Sequence, residues 1–128
     1  MPHQRNLKDD QIKAIAKNNG VIQINFNPGF IDSTFERKEI AFLEKHAVEN
    51  DSLLKSGLND FYTMDCLYKK YADEGNLLRP PLSLLIQHIE YIINLVGVDY
   101  VGLGSDFDGI NLNPRQLDDV TTYPLIQL

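Results

Sequence analysis

The sequence predicts an α/β fold organised on a parallel strand–helix–strand unit, and three observations carry that reading. Val21–Phe26 is a short β-branched run, and Val101–Asp106 is an apolar run punctuated by glycines; both read as strands. A strongly periodic helix, Leu82–Val96, leads directly into the second of them. Two strands joined by a helical crossover pair in parallel. A parallel pair alone has two open edges and cannot cover itself, so the chain reads as a piece of a larger barrel.

The elements follow in order. Met1–Asn6 is polar and irregular, like the tail of a loop. Leu7–Asn19 is helical, with Ile12, Ile15 and Ala16 on one face, Asp9 and Asp10 in the first turn and Lys17 in the last. Asn6 is its expected N-cap and Asn19-Gly20 its stop. In the strand Val21–Phe26, Gln23 and Asn25 alternate with Ile22, Ile24 and Phe26, so one face meets something less apolar than a helix. Residues 31–80 form a charged helical insertion between the two strands. Its first helix is expected from Thr34 to Leu54 and its second from Asn59 to Ala72, separated at Gly57 and ended by Asp73-Glu74-Gly75-Asn76. Pro80-Pro81 opens the helix Leu82–Val96, whose Leu85, Ile86, Ile89, Ile92, Ile93 and Val96 follow the i, i+3, i+4, i+7 rule, and Gly97 stops it. After Gly109 the chain is turn material: Asn113-Pro114, Asp118-Asp119, Tyr123-Pro124.

With 128 residues, 43% hydrophobic and 23% charged, the chain has the composition of one globular domain. A net charge of −6 without a basic patch argues against nucleic acid or an anionic membrane surface as partner. No apolar run approaches the roughly 18 residues of a membrane span, and Met1–Asn6 lacks the apolar core of a signal peptide. The single cysteine, Cys66, rules out an internal disulfide or a cysteine zinc cluster. The compartment stays open, a reducing cytoplasm being compatible.

Asp106 and Asp108 are the residues most suggestive of chemistry. They stand at i and i+2 at a strand's C-terminal end, where parallel α/β folds place their active sites. Paired carboxylates can divide acid and base roles or bind metal; the plainer reading of Asp-x-Asp-Gly is turn chemistry. A calcium loop fits the spacing poorly, since the glycine position holds Asn111 and the twelfth position Leu117. His3, His46 and His88 are scattered and form no HExxH, HxH or HxD, so His46 and His88 read as helix-surface residues rather than ligands. Arg5 could clamp a carboxylate, although an isolated arginine is more often a surface residue. Phe30 lines whatever pocket the strand ends share, or merely caps the core. Cys66 with Met64 and Leu67, and Tyr62, Tyr68 and Tyr71, read as helix packing.

Arg5-Asn6-Leu7, the run from Asn19-Gly20-Val21 to Asn27-Pro28-Gly29-Phe30, and the block from His88-Ile89 through Gly102-Leu103-Gly104-Ser105-Asp106-Phe107-Asp108-Gly109 together resemble the membrane dipeptidase family, the renal-dipeptidase-like metallopeptidases. The resemblance covers nearly the whole chain and is weakest from Thr34 to Asn76. It implies a (β/α)8 TIM barrel, of which 1–128 is a C-terminal segment running from the loop after strand 6 through strand 8. Val21–Phe26 would be strand seven and Val101–Asp106 strand eight. It further implies dipeptide hydrolysis by two zinc ions whose ligands come from earlier strands and are absent here. Arg5 matches the arginine that pairs with the dipeptide carboxylate, and Asp106 the residue that carries a proton to the leaving amine. Phe30 matches a position in the substrate pocket. His3 does not take the place of a missing metal ligand. The implied partners are the dipeptide and the missing N-terminal part of the barrel, with a homodimer open to the full-length parent.

The expectation is therefore a segment of a zinc dipeptidase, inactive alone because Asp106 has no metal-bound hydroxide to assist. Two other classes stand beside it. One is half of a split dipeptidase, which a separate polypeptide would restore. The other is a non-catalytic binding or regulatory module, which would melt cooperatively and hide its strand edges.

Overall fold

A computed structural model of the chain describes residues 3–127. Helix α1 spans Asp9–Lys17, followed by strand β1 at Ile22–Asn25 and the single-turn helix α2 at Pro28–Ile31. Four helices follow: α3 (Phe35–Lys45), α4 (Ala47–Lys55), α5 (Asp60–Lys70) and α6 (Ala72–Leu78). Helix α7 covers Leu82–Val96, as its periodicity predicts, and runs through a 3-10 turn at Val98–Tyr100 into strand β2, Val101–Ser105. A second 3-10 segment lies at Val120–Leu125. The fold is a mostly helical α/β arrangement with two strands among the described residues.

The strands pair in parallel, with Ile22 opposite Val101, Gln23 opposite Gly102 and Ile24 opposite Leu103. The register then slips, so that Asn25 faces Ser105 and Gly104 is the extra residue of a bulge. The alternation read from the sequence separates two faces. Ile22 joins Ile12 of α1 and Ile92 of α7 in one apolar cluster. Ile24, Val101 and Leu103 pack against a second cluster, built on Phe26, Ile31, Leu85, Ile89, Ile110 and Leu117. On the other face Gln23 lies across the glycines of β2: a Cβ added at Gly102 would stand 2.6 Å from Gln23 Oε1. That face carries no large apolar side chain, which is why a polar residue alternates into the strand.

Helices α3, α5 and α6 close around a third cluster of Phe35, Phe42, Leu67, Tyr68 and Leu78. Here the sequence reading needs correction. The helix expected over Thr34–Leu54 breaks at His46, and the one expected over Asn59–Ala72 breaks at Tyr71. These two break residues stack on each other, with ring centroids 3.8 Å apart and planes 24° apart. His46 also meets Phe42 at 4.7 Å and bonds Glu74 at 3.2 Å, so it is a partly buried packing residue rather than a surface one. The breaks coincide with a contact between chain segments, which no local signal reports. The stretch Asp73–Asn76 belongs to α6 instead of ending a helix. Its Gly75 serves close approach, since a Cβ there would lie 3.2 Å from Tyr68 Cδ1.

Smaller departures have equally local causes. The residue capping α1 is Lys8, whose backbone N–H donates to Gln11 Oε1 at 2.8 Å. Asn6, the expected cap, instead donates from Nδ2 to the Phe30 carbonyl at 2.8 Å. Cys66 is exposed on α5 while Leu67 and Met64 turn inward, and Tyr62 is exposed while Tyr68 is buried. No helix among the described residues is long and apolar enough to cross a membrane.

Candidate functional site

The C-terminal ends of β1 and β2 carry the polar groups of the site. Asp106 follows the last residue of β2 with φ 76°, directly after Ser105 at φ 47°. Two successive non-glycine residues in the left-handed region are sparsely populated geometry that neighbouring contacts must hold. Asn25 supplies one such contact, donating from Nδ2 to Asp106 Oδ2 at 2.9 Å. The Phe26 N–H donates to the Ser105 carbonyl at 2.9 Å, continuing the strand pairing past the bulge. A turn then closes as the Gly109 N–H donates to the Asp106 carbonyl at 2.9 Å. Asp108 is exposed on that turn, while the Asp106 carboxylate is held by Asn25.

A cleft of about 250 Å³ opens beside β1, with Arg5, Asn6, Asn25, Phe30, Ile31 and His88 among its walls. The Arg5 guanidinium carbon stands 5.0 Å from the Phe30 ring centroid, a cation–π distance. His3 packs on the same ring at 4.8 Å. Two successive carbonyls hold this corner: Phe30 accepts from Asn6, and Ile31 accepts from His88 Nε2 at 3.2 Å. Burial keeps the His88 imidazole below its ordinary pKa, the hydrogen bond to Ile31 offsetting only part of the effect. His88 is therefore a half-buried member of the cleft, not the surface residue its helix phase suggested.

Arg5 and Phe30 thus meet in one cleft, and Asp106 reaches it through Asn25, which lines the cleft and bonds the carboxylate. Sequence reasoning missed Asn25, Asn6 and His88. The one available signal was polarity breaking an apolar pattern at Asn25; Asn6 and His88 act on carbonyls far away in sequence. Phe30 also borders a second cleft of about 560 Å³ that holds Asp32, Glu36 and Glu39. Burial raises the Asp32 carboxyl, but hydrogen bonds from Thr34 and the Lys38 ammonium outweigh it and leave the pKa below the usual value.

Among the described residues no three His, Cys, Asp or Glu side chains gather closely enough to hold a metal ion. His46 is engaged with Glu74 and Tyr71, His88 with the Ile31 carbonyl, and His3 with Phe30. These donors do not fit a zinc pair, and no chemistry assigned to this chain runs through one.

Parallel strands whose C-terminal ends present a held carboxylate, beside a cleft with a guanidinium, match the arrangement in which α/β folds place their sites. The model of the family described as Membrane dipeptidase (Peptidase family M19) matches residues 1–127, and the chain belongs to that family. An uncharacterized protein in the pqqA 5′ region of Klebsiella pneumoniae is 32% identical over 123 residues, covering 96% of this chain and 31% of that protein. The dipeptidase aclJ of Aspergillus oryzae is 42% identical over 81 residues, 62% of this chain and 19% of its own length. The uncharacterized dipeptidase C965.12 of Schizosaccharomyces pombe is 34% identical over 122 residues, 95% of this chain and 20% of its own. The chain thus spans about a fifth to a third of the length of these curated relatives. No solved structure matches it.

Proposed function

We propose that the chain supplies the last two strands, and part of the substrate pocket, of a (β/α)8 barrel that hydrolyses dipeptides. β1 is then strand seven and β2 strand eight, with residues 31–80 inserted between them. The unpaired outer edges of both strands are where the rest of the barrel joins, and the zinc pair implied by the family resemblance is held by that remainder. The observation that carries the reading is the meeting of Arg5 and Phe30 in one cleft, with Asp106 tied to its wall by Asn25.

Within that site Arg5 pairs with the dipeptide's terminal carboxylate, and Phe30 keeps the guanidinium in place while walling the cleft. Asp106, at the strand end, takes up the proton that the attacking water loses and passes it to the amine nitrogen as the C–N bond breaks. The test uses the complete barrel. Arg5→Met should raise KM for dipeptides on the order of tenfold to a hundredfold and have little effect on dipeptide amides, which lack the carboxylate. Asp106→Asn should lower kcat on the order of 10²-fold or more with KM nearly unchanged. Equal losses on acids and amides would remove Arg5 from its assigned role.

A further inference from the structure

We infer that Asn25 and Gly109 are positioning residues that seat the Asp106 carboxylate from two sides. The inference deepens the proposed function and rests on it for the use made of Asp106. Asn25 ends β1, opposite Ser105 across the bulge. Its Oδ1 accepts from the Asn27 backbone N–H at 2.8 Å, which fixes the amide's orientation and leaves the NH₂ end to face β2. That end donates to Asp106 Oδ2 at 2.9 Å.

The other carboxylate oxygen rests on Gly109. A Cβ added at Gly109 would overlap Asp106 Oδ1 and lie 3.0 Å from its Cγ. Glycine leaves room here for the carboxylate and is not used for backbone freedom: the positive-φ glycines among the described residues are Gly57 and Gly97. The turn that returns Gly109 under Asp106 is closed by its own N–H on the Asp106 carbonyl. One oxygen is held by a hydrogen bond and the other by the space a missing side chain leaves. A carboxylate that must reach a leaving amine gains from this, because a misplacement of about 1 Å can cost on the order of 10²-fold in rate. Neither residue need touch substrate.

Gly109→Ala separates position from folding. The atoms it displaces are the tip of the Asp106 side chain, so the backbone can stay while the carboxylate is evicted. In the complete barrel, Gly109→Ala and Asn25→Leu should each lower kcat on the order of 10²-fold while KM, set by Arg5, stays within about twofold. Neither should cost anything further in an Asp106→Ala background. Losses of the same size with and without Asp106, or losses confined to KM, would overturn the inference. A second readout does not depend on activity. The Asn25 side-chain NH₂ resonances of the complete protein should move on Asp106→Ala and on Gly109→Ala; resonances that stay put would show that no seat exists. If they move while Asp106→Ala leaves kcat intact, the seat stands and the proton role of Asp106 falls.

Discussion

His88 shows how one residue ties the cleft to the stability of the fold. Its Nε2 donates to the Ile31 carbonyl from helix α7, and burial lowers its pKa from the ordinary 6.5. A base lowered in the folded state is neutral in both states at high pH. As pH falls below 6.5 the unfolded chain takes up its proton first, so the stability His88 contributes above that value is lost through the window beneath it. Urea unfolding at about pH 7.5 and pH 5.5 should therefore show a drop that His88→Gln reduces. A drop of the same size in the variant would assign it to other groups. Arg5 and Asp106 could be named from sequence through the family motif, but their supports could not. Asn6, Asn25 and His88 act through hydrogen bonds spanning 24, 81 and 57 residues, and no local pattern encodes such partners.

Among the elements, α7 and the strands were the most legible, because burial on one side imprints a period on the sequence. Leu85, Ile89 and Ile92 are 0%, 2% and 3% exposed, the spacing of a single helical face. Leu85→Ala should cost about 2–5 kcal/mol in denaturant unfolding, the range for a large-to-small change in a closed core. A cost under about 1 kcal/mol would mean that α7 is not packed as described. The helices of the insertion were legible as helices but not in their boundaries. No Gly or Pro marks the breaks at His46 and Tyr71, and the two rings stack on each other across the insertion. Gly75 misled for the related reason that a glycine marking close helix packing looks like one marking a stop.

For the whole molecule, the decisive features are the two strands and what they leave open. Apolar side chains cover one sheet face, while Gln23 and the glycines of β2 form the other. On the proposed division of the site, this chain supplies part of the pocket and the rest of the barrel supplies the nucleophile. Purified 1–128 with added zinc and a dipeptide should give no turnover above the blank. Sustained hydrolysis abolished by chelators would defeat that expectation and, with it, the division of the site between this chain and the rest of the barrel.

The sequence by itself determined the strand–helix–strand order, the inward face of each of these elements and the family resemblance, on which the roles proposed for Arg5, Phe30 and Asp106 rest. Each is written in periods or short runs that a neighbour's identity does not alter. Tertiary structure decided how the Asp106 carboxylate is held, where the insertion bends and how the arginine and phenylalanine share one cleft. Those outcomes depend on groups distant along the chain meeting in space: the Asn25 amide at the Asp106 carboxylate, His46 on Tyr71, Asn6 and His88 on successive carbonyls.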